Sequence, residues 1–263
     1  MSKTIAEKTE EVSEYIAHHV LDGGTWTVGT WHMDFSSVNL PAAFRLSGLM
    51  GLIGIAFVCW MYAKVYNHRA RVPRGFTNLL ESIVVFVRDE ISVPYLGKED
   101  GRKFAWIFLA QFTVILTLNL MGLIPIFATA TASLSVTGAL AFTTFAVMVY
   151  LPIERHGFMG FVKGFIPHGV PVPVLFMLVP IEIAGLFIRS LVLAIRLFAN
   201  MLAGHIVLFA MLGMIVIYGA VGLPALLLGL FVFFLEILVA FLQTYIFVML
   251  SAIFVGQTLH PQH

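Results

Sequence analysis

The chain has 263 residues, 60% of them hydrophobic and 11% charged, with a net charge of +1 and a mean hydropathy of +0.96. Soluble domains average about 45–50% apolar and about 25% charged, so these side chains cannot cover a water-facing surface and lipid must be the solvent for most of the chain. The near-zero net charge offers no basic surface for nucleic acid, and the single cysteine, Cys59, excludes an intrachain disulfide and a cysteine-based metal site.

Residues 1–45 form an N-terminal extramembrane segment ahead of a membrane domain at 46–263. The segment is polar to mixed, with Glu7, Glu10, Glu11 and Glu14 followed by Gly23-Gly24, and reads as a short amphipathic helix and a loop. It lacks the apolar core of a signal peptide and the Arg-rich character of a transit sequence, so the internal spans are expected to drive insertion. A first apolar run covers about 46–66; Gly48, Gly51 and Gly54 give it a smooth stripe where another helix can approach closely. Between about 74 and 92, apolar positions 79, 80, 83, 84, 86 and 87 alternate with Glu81 and Arg88 in the pattern of an amphipathic helix lying in the interface.

Further apolar runs lie at about 104–127, carrying Asn119 and ending near Pro125, and at about 136–153, ending at Glu154-Arg155-His156. After a Gly/Pro-rich turn come two long runs, about 174–218 and about 222–257, each longer than the roughly 20 residues that span a bilayer. They read as strongly tilted or broken helices. The fold class is therefore an all-α membrane protein with five transmembrane helices and one interfacial amphipathic helix. Of the 15 Lys and Arg residues, eight fall in 64–103, whereas the loops near 128–135 and 218–222 have none. By the positive-inside rule, 64–103 and the C-terminus face the cytoplasm and the N-terminus lies outside.

Five ionisable residues fall at membrane depth in the last two runs: Glu182, Arg189, Arg196, His205 and Glu236. A charge at the bilayer centre costs about 2.5–3.5 kcal/mol on insertion scales, so such residues mark a functional site by default. Glu182, Arg189 and Arg196 recur every seven residues, nearly two turns, and project to similar sides; Asn200 lies one turn beyond Arg196. Gly185, Ala199 and Ala203 on that side would let a partner backbone come close. His205 is turned to roughly the opposite side, about 13 Å along the axis. Glu236 and Gln243 again share a face. The competing reading is structural: Glu182 neutralises Arg189, and Glu236 pairs with His205 or Arg196, only to hold helices together. A structural histidine is an equal reading of His205 alone.

The segment from Ser190 to His205, with Arg196, Asn200 and Gly204-His205, resembles the signature of subunit a of F-type ATP synthases. The helix carrying Glu236 and Gln243-Thr-Tyr-Ile-Phe is similar to that family's second polar helix. Asn119-Leu-Met-Gly-Leu-Ile-Pro125, Pro73-Arg-Gly-Phe-Thr-Asn-Leu-Leu-Glu81 and Tyr15-Ile-Ala-His-His19 also resemble family segments, in order along most of the chain. Some members exchange the acid and the imidazole at the positions of His205 and Glu236, which implies that the two lie near each other.

The resemblance implies a stator subunit of the membrane F0 sector. It would provide two aqueous half-channels to the carboxylates of a rotating c-subunit ring and couple proton flow to ATP synthesis. In that scheme Arg196 is the essential residue: it stabilises the ionised ring carboxylate and blocks direct leakage. Asn200 and Gln243 hydrogen-bond near that contact, while His205, Glu236 and Glu182 line the outer half-channel. Arg189 is assigned to the cytoplasmic side; Asn119 and Ser133 are further candidates. The implied partners are the c-ring, the subunit b peripheral stalk, the rest of the F1F0 complex, the lipid bilayer and H+, with Na+ left open. No cofactor or metal is expected, and with no P-loop the chain is a non-catalytic subunit. A bacterial inner membrane is the implied location, ahead of the mitochondrial one. The alternatives are a secondary cation transporter, for which no symmetric halves are visible, and a structural anchor with buried ion pairs.

Overall fold

The structure is a computed structural model and describes residues 5–20, 25–28, 31–34, 46–65, 75–124, 129–165 and 172–259. Pro73, Arg74, Pro125 and most of the Gly/Pro-rich turn lie outside these residues. The chain is overwhelmingly helical. In order it contains α1 (Ile5–Val20), β1 (Thr25–Val28), β2 (Trp31–Asp34), α2 (Leu46–Trp60), α3 (Phe76–Phe86), α4 (Val93–Leu96), α5 (Lys98–Gly122), α6 (Leu134–Lys163), α7 (Val172–Tyr218) and α8 (Leu223–Leu259). Five helices are long and apolar enough to cross a membrane, over Ser47–Lys64, Lys98–Gly122, Leu134–Val162, Val174–Tyr218 and Leu223–Leu259. All five spans expected from the sequence are present.

Three details differ from the sequence reading. The N-terminal segment has its helix, but part of the expected loop is an antiparallel hairpin pairing Thr25 with Asp34 and Val28 with Trp31. α5 begins at Lys98, about two turns ahead of the apolar run, because Glu99 and Asp100 fall in its first turn and favour the positive end of the helix dipole. α6 runs on past Glu154-Arg155-His156 and changes direction at Gly157, whose φ of 72° is open to glycine at no steric cost. Of the tilted and broken readings of the last two runs, the structure holds unbroken helices: α7 has 47 residues and continues through Pro180, and α8 has 37. At 1.5 Å per residue these helices are about 70 and about 55 Å long. A hydrocarbon core is about 30 Å thick, so both must tilt strongly in a bilayer.

Two compact units make up the chain: Met1–Ala56, Ile115–Thr137 and Arg196–Gln243 form one, and Phe57–Val114, Gly138–Ile195 and Thr244–His263 the other. In the first, α2 buries Ser47, Met50, Gly51 and Gly54 while Leu52, Ile53 and Ile55 are exposed. A side chain at Gly54 would meet Leu118 of α5, and one at Gly51 would meet Val136 of α6. The glycine stripe is thus a close-packing surface. α1 lies against the second half of α7, with Val12 over Gly213 and Lys8 Nζ 3.5 Å from the Val216 carbonyl oxygen.

The second unit holds the amphipathic helix. From Phe76 it runs through α3, a π-helical stretch at Val87–Ser92, and α4. Leu80, Val87, Ile91 and Leu96 are buried at helical spacing, whereas Phe76, Leu79, Val85 and Phe86 are exposed. Arg88 and Asp89 pair at 2.7 Å on its surface. Deeper in this unit, Gln111 Nε2 donates to the hydroxyls of Thr143 (3.0 Å) and Thr144 (3.2 Å), and Ser251 Oγ lies 3.1 Å from both Gln111 Oε1 and Thr144 Oγ1. This buried network ties α5, α6 and α8 together, and inside a low-dielectric interior each satisfied partner counts for more than in water. At the rim, Lys103 pairs with Glu154 at 2.7 Å, and Arg155 reaches Glu99 and Asp100, each at 3.5 Å.

Candidate functional site

The first unit contains a helix pair with two chemically different faces, formed by the second half of α7 and most of α8. On α7 the exposed positions Arg196, Ala199, Ala203, Ile206 and Val207 follow helical spacing. On α8 the exposed row is Leu227, Leu228, Phe231, Phe234, Leu235, Leu238, Phe241 and Leu242. Arg196 is thus a cation on a surface of aliphatic and aromatic side chains, flanked by alanines that leave its guanidinium uncovered. Among the described residues it has no carboxylate within ion-pair distance.

The opposite side of α7 is buried and polar. His205 is rotated about 180° from Arg196 by its nine-residue offset, and both ring nitrogens are engaged. Nδ1 lies 2.9 Å from the Met201 carbonyl oxygen, one turn back on α7, and 3.1 Å from Glu236 Oε1 on α8. Nε2 lies 3.0 Å from the Gly122 carbonyl oxygen at the end of α5 and 3.0 Å from Thr129 Oγ1. Four separate stretches of chain therefore converge on one imidazole. Of the two partners that the sequence leaves open for Glu236, the structure selects His205 and not Arg196. Glu236 is itself buried, and its Oε2 has no hydrogen-bond partner among the described residues.

Gly204 makes this contact possible. A Cβ built there would sit 2.5 Å from Glu236 Oε1 and 3.0 Å from its Cδ, so only glycine lets the carboxyl lie against α7 at this level. Nearby, Asn119 is buried, and its Nδ2 donates to the Ala240 carbonyl oxygen at 3.4 Å. Gln243, one turn further along α8, is buried with its Nε2 unpartnered among the described residues. Asn200 is half-buried. Ser133 is buried where the short 3-10 turn Ala130–Ala132 leads into α6.

Glu182 and Arg189 belong to the second unit. Both are half-buried, and they form no ion pair with each other among the described residues. Arg189 instead lies over the Phe254 ring, 5.7 Å from its centroid, a cation–π distance. The structural reading in which Glu182 neutralises Arg189 is therefore absent here. The sequence reading missed three contributors to the His205 environment: Thr129 and the carbonyls of Gly122 and Met201. The carbonyls carry no side-chain signature, and Thr129 lies in a loop 76 residues from the histidine it touches.

Comparison with known proteins bears on this arrangement. Residues 46–256 match the family model of the ATP synthase A chain. The chain belongs to that family. An ATP synthase subunit a from Anaeromyxobacter sp. (strain Fw109-5) is 37% identical over 265 residues, covering 97% of this chain and 63% of the relative. One from Chloroherpeton thalassium is 36% identical over 263 residues, covering 94% and 77%. One from Anaeromyxobacter dehalogenans (strain 2CP-C) is 44% identical over 193 residues, covering 72% of this chain and 50% of the relative. The chain thus spans about half the length of some of the curated relatives that it matches. Family membership covers every residue of the α7–α8 pair up to Gly256, including Arg196, His205 and Glu236.

Proposed function

We propose that the protein is the proton-translocating stator subunit of an F0 sector, working against a ring of c subunits in a bacterial inner membrane. Its N-terminus lies outside and its C-terminus in the cytoplasm. The observation that carries this reading is Arg196, exposed on an otherwise apolar face of the α7–α8 pair. A guanidinium facing hydrocarbon costs several kcal/mol. A chain that keeps one there needs a counter-charge from another chain, and its flat, forked donor set matches a carboxylate. The row of exposed leucines and phenylalanines on α8 suits a helical partner that slides and does not lock.

In this reading a proton enters from the outer side, passes the buried His205–Glu236 pair and neutralises a ring carboxylate. The ring turns, and the carboxylate meets Arg196 only after nearly a full revolution. There the guanidinium favours the ionised form and the proton leaves on the cytoplasmic side. Because arginine does not give up its own proton, it passes no proton directly between the two half-channels. Asn119, Asn200 and Gln243 set the polarity around the contact; Glu182 extends the outer path and Arg189 the cytoplasmic one. The driving term is about 2.3 kcal/mol per charge for each 100 mV of membrane potential. The b-subunit stalk and the F1 sector complete the machine, with H+ as the carried ion and Na+ the alternative.

Replacing Arg196 by leucine separates this reading from a structural anchor. An anchor relieved of a lipid-facing charge would assemble as well or better and lose nothing else. A channel subunit would assemble and lose ATP-driven proton pumping.

A further inference from the structure

The environment of His205 is asymmetric in a way that singles out one side chain. Of its four neighbours two are backbone carbonyls, Met201 at Nδ1 and Gly122 at Nε2, and a carbonyl only accepts. With both nitrogens protonated, both carbonyls are satisfied. Once Nε2 loses its proton, it presents a lone pair to the Gly122 oxygen at 3.0 Å, and it needs a donor. Among the described residues the only group within reach that can donate to it is the Thr129 hydroxyl, also at 3.0 Å. On the other nitrogen the facing titratable group is Glu236, and the described residues place no other ionisable side chain against the ring.

We infer that Thr129 is the residue through which the His205 imidazole gains and loses its Nε2 proton. This rests on the channel reading above. The step balances with water as co-reactant. With His205 doubly protonated, Nε2–H is shared between the Gly122 oxygen and Thr129 Oγ1, each at 3.0 Å, and the Thr129 hydroxyl donates to a water of the outer path. When that water takes the hydroxyl proton, the Nε2–H bond breaks and a new Oγ1–H bond forms. Thr129 is then again a neutral hydroxyl, now donating to the bare Nε2, and the water carries the proton away as hydronium. Loading runs the same steps in reverse. A carbonyl such as Gly122 cannot perform the exchange, since it has no proton to give. Throughout, Nδ1 keeps its proton between Met201 and Glu236, so the exchange is confined to one nitrogen.

Thr129→Val tests this, because it keeps both branches of the side chain, including the methyl that packs beside Gly122, and removes only the hydroxyl. In membrane vesicles containing the whole assembled complex, ATP-driven proton pumping should fall about a hundredfold or more, the usual scale for losing a positioned proton-transfer group. Thr129→Ser should stay within about twofold of the parent and keep its solvent deuterium isotope effect. Parental pumping by Thr129→Val, or a Thr129→Ser as slow as the valine variant, overturns the inference. If valine impairs assembly, Thr129→Ala compared with Thr129→Ser at equal complex content gives the same decision. Arg196→Ala in parallel keeps the two levels apart. Should it pump normally, the channel reading itself has failed. Should it stop while Thr129→Val pumps normally, only the role of Thr129 falls.

Discussion

Substituting Gly204 by alanine probes the site with a single methyl group. The added Cβ would lie 2.5 Å from Glu236 Oε1, 3.0 Å from Cδ and 3.4 Å from Cγ, whereas ordinary van der Waals contact begins near 3.4 Å. The carboxyl must therefore retreat by about 1 Å, and a displacement of that size in a reacting group is worth about 10²-fold in rate. The same movement opens the 3.1 Å contact with His205 Nδ1. Neither α7 nor α8 needs to break, since alanine is the better helix former. The expected outcome is a normally assembled complex whose ATP-driven proton pumping is reduced by about two orders of magnitude. Shortening the acid in the same chain, as Gly204→Ala with Glu236→Asp, withdraws the carboxylate by one methylene and should recover part of the loss. Parental pumping by Gly204→Ala would refute the claim that the His205–Glu236 contact matters, and a double variant slower than Gly204→Ala alone would refute the steric argument.

Other expectations follow from the second unit. Ser251→Ala strands Gln111 Oε1 in a buried network and should lower the stability of the purified complex by about 1–3 kcal/mol, seen as a reduced Tm. Gly157→Ala places a side chain at φ 72° with open space around it, so only backbone strain of about 1–3 kcal/mol acts; membrane levels of the subunit should fall while pumping per assembled complex is kept. At the surface, the hydrogen bond from Arg88 holds the Asp89 carboxyl below the usual carboxylate range. A depressed carboxylate stabilises the fold above its unfolded pKa and loses that contribution as pH falls through its folded pKa. The pair lies at the surface with its side chains 41% and 45% exposed, and solvent screens such a pair, so Asp89→Asn should leave the Tm at neutral pH and its acid dependence unchanged within error.

The membrane architecture was readable because lipid imposes it: a run of about 20 apolar residues has few other uses. The buried stripe of α2 and the helical spacing of Leu80, Val87 and Ile91 in the amphipathic helix follow from periodicity alone. The hairpin at Thr25–Asp34 was not readable, because strands of four residues carry too little pattern. Whether the run at about 174–218 is one tilted helix or a broken one stayed open in the sequence, since the proline at 180 signals a break that neighbouring packing can override. For the site, the opposite orientation of Arg196 and His205 comes directly from a nine-residue offset on one helix. Which partner Glu236 takes does not, because that depends on the register between two helices. Thr129 and the Gly122 carbonyl are invisible for the same reason, being brought to His205 by long-range packing.

The central claim is that Arg196, exposed on the α7–α8 face, is both the charge partner of a ring carboxylate and the barrier between two half-channels. The most direct measurement is passive proton conductance and ATP-driven pumping in vesicles carrying the assembled complex, with Arg196 intact and as Arg196→Ala. The account predicts that pumping disappears while assembly persists, and that passive conductance rises. Pumping at a near-normal rate with no added leak would contradict it.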